Sequence, residues 1–142
     1  MKMYCIVARE SLKKMNGNRG KLAAQAGHAY LHAYWDAETR FDTEYHPTEE
    51  IDSGYAYHRV KLRDAAHVTY RASRAAKKVC LVVETVDELV ALRDRYSPVC
   101  GVSLVTDAGL TCFDGPTTTC LGIGPIADDQ VGDDLKALKV LI

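Results

Sequence analysis

The chain of 142 residues is 47% hydrophobic and 26% charged, with a net charge of −1, the proportions of one globular domain around one core. Disorder, collagen and a disulfide scaffold are excluded as descriptions of the whole, and no apolar run approaches the ~18–20 residues that a bilayer-spanning helix needs. The near-neutral charge conceals a segregation: residues 1–21 carry six bases against one acid, 36–54 seven acids against one base, and 58–78 seven bases against one acid.

In chain order, Met3–Ala8 is a short apolar, β-branched run and predicts a buried strand. Asn16 to Gly20 predicts a turn. From Lys21 to about Trp35 the spacing is helical, with Leu22, Ala26, Ala29 and Ala33 forming one small-residue face that would let the helix lie close on a sheet. Lys21, Gln25, His28 and His32 keep the same spacing on another face. Residues 36–62 show no clear period and predict an irregular excursion, an insertion into the single domain 1–142. Asp64 to about Lys77 is Ala- and Arg-rich and predicts a helix, and Val79–Glu84 a second strand. Thr85-Val86-Asp87-Glu88 matches the capping box, opening a helix to Tyr96 with Leu89 and Leu92 inward. Gly101–Thr106 and Thr117–Ile123 predict a third and fourth strand, the latter stopped by Pro125, with a last helix from about Asp128. Strands alternating with helices predict an α/β fold, a three-layer α/β/α sandwich around a small mixed four-stranded sheet.

The five cysteines, at 5, 80, 100, 112 and 120, are odd in number and contain no C-x-x-C pair. They predict reduced core thiols and a cytoplasmic protein, as does a start too short in apolar residues for a signal peptide. Familiar motifs fail. Gly20-Lys21 lacks the first glycine of a phosphate loop and is followed by Leu22. Gly101 to Val105 lacks the second glycine of a nucleophile elbow, and Gly122-Ile123-Gly124-Pro125 cannot continue as a dinucleotide fingerprint. His28 and His32 have the i, i+4 spacing of metal ligands, but neither the glutamate of H-E-x-x-H nor a third ligand accompanies them. No metal or other cofactor is expected.

Two segments remain. The first is Gly20-Lys21-Leu22-Ala23-Ala24-Gln25-Ala26-Gly27-His28-Ala29; the second is Asp107-Ala108-Gly109-Leu110-Thr111 followed by Thr117 through Pro125. In this order, at opposite ends of a small α/β chain, they resemble the type II peptidyl-tRNA hydrolases of archaea and eukaryotes. The resemblance covers roughly residues 1–35 and 79–142, including the closing Leu138 to Leu141. The sequence departs from the family in having Leu110 where arginine is usual and Gly115-Pro116 in place of Pro-Gly.

The resemblance implies hydrolysis of the ester joining a peptide to the 3′ end of tRNA, and it marks Lys21, Asp107, Thr111 and Thr119 as catalytic. The residue types suit that chemistry. The ammonium of Lys21 at a helix start, with free N–H groups and the helix dipole, makes an anion site. Asp107, just past a strand end, could orient water, and the threonine hydroxyls both donate and accept. Read alone, Lys21 is equally a solvated lysine, Asp107 a turn former, and the threonines ordinary strand residues. Gln25 and His28 either orient the site from behind or cover the outer face of the helix. Lys13, Lys14, Arg19, Arg59, Lys61, Arg63, Arg71 and Arg74 are the expected contacts to tRNA phosphates. The partner is then the acceptor end of peptidyl-tRNA, with no membrane, and a homodimer is what family members commonly form. The alternative is a non-catalytic tRNA- or protein-binding module on the same fold, suggested by Leu110 and the acidic 36–62 stretch.

Overall fold

The computed structural model describes residues 1–41, 59–62, 65–73, 76–111 and 113–142. The apolar run at the start forms strand β1 (Lys2–Ala8). A six-residue helix α1 (Arg9–Lys14) follows, then the long helix α2 (Arg19–Asp36). Strands β2 (Glu38–Phe41) and β3 (Arg59–Leu62) pair antiparallel. Helix α3 (Ala65–Ala72) precedes β4 (Lys78–Val83), α4 (Val86–Tyr96), β5 (Val102–Asp107) and β6 (Thr117–Ile126). A 3-10 turn (Asp128–Gln130), a one-turn helix α5 (Asp133–Lys136) and strand β7 (Lys139–Val140) complete the described elements.

The main sheet has five strands in the order β5-β6-β1-β4-β7. Only β1 and β4 run parallel; the other neighbours are antiparallel, so the sheet is mixed. The expected count of four is corrected to five. The extra strand, β7, is two residues long, too short for any period, and exists by pairing with Leu81 and Val82. Alternate residues of β1 serve two faces. Tyr4, Ile6 and Ala8 pack with Leu89, Leu92 and Tyr96 of α4, while Cys5 and Val7 pack with Ala29 of α2.

The small face of α2 does what its spacing predicts. Ala29 and Ala33 are fully buried, and the helix lies so close to β6 that a Cβ built at Gly122 would collide with the Ala29 carbonyl and the Ala33 methyl. A Cβ at Gly101 would strike the backbone at Ala33 and Ala37. The capping box at Thr85 and Glu88 forms in both directions.

Several boundaries differ from expectation. α2 begins at Arg19 rather than Lys21, because Asn18 caps it and draws Arg19 and Gly20 out of the expected turn. Pro125 does not stop β6. The ladder between β1 and β6 shifts register between Lys2 and Tyr4, and a proline at such an irregularity forfeits no ladder bond. The last helix is shorter than expected, a 3-10 turn and then α5. The predicted helix from Asp64 to Lys77 is observed as Ala65–Ala72. Of the excursion at 36–62, Asp36 closes α2 and both ends form strands; 42–58 lie outside the described residues.

Candidate active site

Three elements meet at one end of α2. The helix contributes Lys21 and Gln25, β5 ends in Asp107, and β6 carries Thr119. Lys21 is fixed at both ends of its side chain. Its backbone N–H donates to Asn18 Oδ1 at 2.9 Å, the cap that starts the helix. Its ammonium forms an ion pair with Asp107 and donates to Thr111 Oγ1 at 3.1 Å. The same Nζ lies 5.8 Å from the centre of the buried Phe113 ring, within cation–π range. The expected anion site is modified in one respect: the Lys21 N–H is committed to the cap, so the ammonium carries the charge.

Asp107 is held on both oxygens. Oδ1 accepts from Gly109 N–H at 2.8 Å, closing a turn in which Gly109 has φ of +80°. A side chain there would strike Gly115, so glycine is required. Oδ2 takes the Lys21 ammonium and the Gln25 amide, the latter at 3.0 Å. The Lys21 ammonium, more than any other group, holds the Asp107 carboxyl below the usual carboxylate range; the Gly109 N–H and the Gln25 amide act in the same direction, against the opposing effect of burial. Asp107 is therefore a carboxylate at neutral pH.

Gln25 and Thr119 stand behind this pair, 4% and 0% exposed, so their polar groups must be satisfied by protein. Thr119 Oγ1 donates to Gln25 Oε1 at 2.7 Å, which points the Gln25 NH2 at Asp107. Gln25 faces inward, bonded to both Asp107 and Thr119, and does not lie on the outer face of the helix. His28 is not drawn in: it stands exposed on α2 with its ring 5.4 Å from that of His32. Among the described residues no group of three metal-ligating side chains gathers.

Leu110, next to this turn, is 89% exposed. Lys13 and Lys14 are exposed at the end of α1, Arg19 at the start of α2 and Arg71 in the last turn of α3. Arg59 and Lys61 lie on β3; Arg63 and Arg74 lie outside the described residues. Two positioning residues escaped the sequence reading, Asn18 and Phe113. Asn18 was legible in principle, since Asn three residues before Lys21 is a helix-capping signal; nothing in the sequence marks Phe113.

Comparison with known proteins identifies the family. The family model described as "Peptidyl-tRNA hydrolase PTH2" matches residues 1–141. A peptidyl-tRNA hydrolase of Methanococcus vannielii is 33% identical over 137 residues, 96% of each chain. That of Methanopyrus kandleri is 36% identical over 141 residues, covering 94% of this chain and 96% of its own. That of Methanothermobacter thermautotrophicus is 31% identical over 138 residues, 96% of each chain. With a whole-chain match and relatives that run its full length, this chain belongs to the peptidyl-tRNA hydrolase PTH2 family.

Proposed function

We propose that the protein hydrolyses the ester between peptide and tRNA, releasing free tRNA for recycling. The observation that carries the reading is the continuous array from Thr119 through Gln25 and Asp107 to Lys21 and Thr111, buried at one end and cationic at the other. A carboxylate has about four acceptor positions; Lys21, Gln25 and Gly109 occupy three. The remaining one, on Oδ1, orients a water toward the ester carbonyl carbon. The Lys21 ammonium offsets the negative charge that develops on the carbonyl oxygen. Thr111 passes its own hydrogen to the departing ribose oxygen and takes one back from the Lys21 ammonium it accepts from. The proton lost by the attacking water reaches Asp107 and, across the ion pair, returns to Lys21. Gln25 and Thr119 hold the carboxylate in place.

Substrate would be held by phosphate contacts from Lys13, Lys14 and Arg19, exposed at the end of α1 and the start of α2. The packing of α2 and α4 residues against alternate positions of β1 supports the three-layer α/β/α arrangement. Free cysteines at 5, 80, 100 and 120 support a cytoplasmic setting, and family membership supports a homodimer, which sedimentation of the purified chain tests.

The second reading, a binding module without turnover, is favoured by Leu110, an exposed apolar side chain where the family usually carries arginine. Incubation with an N-acetyl-peptidyl-tRNA, following free tRNA with and without EDTA, separates them. Release insensitive to EDTA supports the hydrolase; binding without release establishes the module; EDTA-sensitive release would point to metal chemistry.

A further inference from the structure

Helix α2 continues past the site as a second feature. Lys21, Gln25, His28, His32 and Trp35 recur at i, i+4, i+7, i+11 and i+14, one stripe along a 3.6-residue helix. Beyond Gln25 this stripe is aromatic and open. His28 and His32 are 5.4 Å apart, His32 stacks on Trp35 at 5.4 Å with 20° between planes, and Trp35 is 49% exposed. Leu31 beside them is 44% exposed. Such an indole is normally buried.

Strand β5 runs alongside. Its last residue, Asp107, bonds Lys21 and Gln25 near the start of α2, while its first, Val102, donates its N–H to Asp36 Oδ2 at the end of α2, at 2.9 Å. β5 is also the end strand of the main sheet, with no strand on its outer edge among the described residues. Tyr30 and Tyr34 occupy the other flank of α2, over Met3 and Lys78, so the stripe overhangs the β5 edge. A track about 20 Å long thus leads away from the ester-binding end. One side is aromatic; the other, between Asp107 and the Val102 N–H held by Asp36, is a sheet edge with no strand on it among the described residues.

Resting on the hydrolase reading, we propose that this track receives the peptide portion of the substrate. Charge decides against the nucleic acid as occupant. Residues 22–38 contain no lysine or arginine, and the far end of the stripe carries Asp36 and Glu38, whose charges repel phosphate. The exposed cations Lys13, Lys14 and Arg19 precede Lys21, in α1 and at the start of α2, rather than lying along the stripe. The track also fits a ligand of arbitrary sequence: an open strand edge recognises main chain, and flat rings accept many side chains.

The reach is calculable. At 1.5 Å per helical residue, His28 lies about 10 Å and Trp35 about 21 Å along α2 from Lys21. An extended peptide covers at most ~3.3–3.6 Å per residue, so its third residue meets His28 and its sixth meets Trp35.

The experiment compares N-acetyl-dipeptidyl-tRNA with N-acetyl-hexapeptidyl-tRNA on one tRNA. Trp35→Ala raises KM for the hexapeptidyl substrate about tenfold and leaves the dipeptidyl substrate unchanged, with kcat preserved for both; Trp35→Phe restores KM. Equal effects on both lengths, or on neither, overturn the proposal. Trp35 is the sole tryptophan, so its emission reports occupancy without turnover. N-acetyl-(Ala-Leu)3-amide shifts it and the trinucleotide 5′-CCA-3′ does not. A shift by the trinucleotide, or none by the peptide, overturns the assignment. Failure of the wild-type protein to release tRNA from either substrate would remove the hydrolase reading, and the emission titration would still decide the track.

Discussion

Gln25 and Thr119, ninety-four positions apart in sequence, meet at 2.7 Å inside the protein, and the direction of the Gln25 amide follows from that contact. A hydroxyl on β6 therefore sets which atom of Gln25 faces Asp107. Thr119→Val keeps the shape and removes the donor, leaving Gln25 Oε1 buried without it. The expected cost is about 1–3 kcal/mol, read as a lower Tm, with a fall in kcat that Thr119→Ser largely recovers. Wild-type Tm and kcat in the valine variant would contradict the relay.

Lys21→Ala is expected to fold, since the Asn18 cap bonds the backbone rather than the side chain. kcat/KM should drop by at least ~10²-fold if the ammonium acts on the transition state. A folded variant with full activity would remove Lys21 from the mechanism.

Asp107→Asn should lower kcat far more than it raises KM, because orientation of water matters in the transition state. Its pH dependence follows from a carboxyl held below its unfolded value. Such a group stabilises the fold above the ordinary carboxylate pKa, ~3.9. That stabilisation disappears as pH falls through the lower folded value. The Tm difference between wild type and Asp107→Asn should therefore be full at neutral pH and shrink below about pH 4. A constant difference down to strong acid would show that the ion pair does not stabilise the fold.

Gly122→Ala and Gly27→Ala form a contrasting pair. The first methyl collides with the Ala29 carbonyl; the second has nothing within 4 Å. Gly122→Ala should cost about 1–3 kcal/mol and reduce kcat by lifting Lys21 and Gln25. Gly27→Ala, within the same helix, should raise stability by about 0.5–1 kcal/mol. Equal Tm values for the two would mean that the close seating of α2 is not needed.

Affinity for peptidyl-tRNA should fall with salt, with a logarithmic slope of about −2 to −4 for a few phosphate contacts. Reversing Lys13 and Lys14 to Glu should weaken binding alike for tRNAs of different sequence. A KM flat in salt, or a double reversal that discriminates among tRNAs, would place the phosphate surface elsewhere.

What the sequence made legible divides along physical lines. β1 and β4 are short, largely apolar runs that include β-branched residues, and the Thr85–Glu88 box is local chemistry. Each was readable because its signal lies within a few consecutive residues. α1 was not. It is six residues long and is held by remote contacts, Ser11 Oγ donating to the Thr118 carbonyl at 2.6 Å and Glu10 accepting from Val86 N–H at 2.6 Å. The proximity of Lys21 to Asp107 came from the family resemblance, because no local pattern joins positions so far apart. The inward turn of Gln25 was hidden for a related reason: a glutamine between a lysine and a histidine reads as solvent-facing until its buried partner is known.

The shortest strand has a wide consequence. Val140 pairs with Leu81, Lys139 with Val82, and Leu141 donates its N–H to the Cys80 carbonyl at 3.0 Å. These few residues hem an apolar strand whose edge would otherwise be adhesive to other chains. A variant cut back before Lys139, or one whose fused tag pulls the tail away, would expose that selvedge, and self-association would precede any loss of the Lys21–Asp107 array at β5.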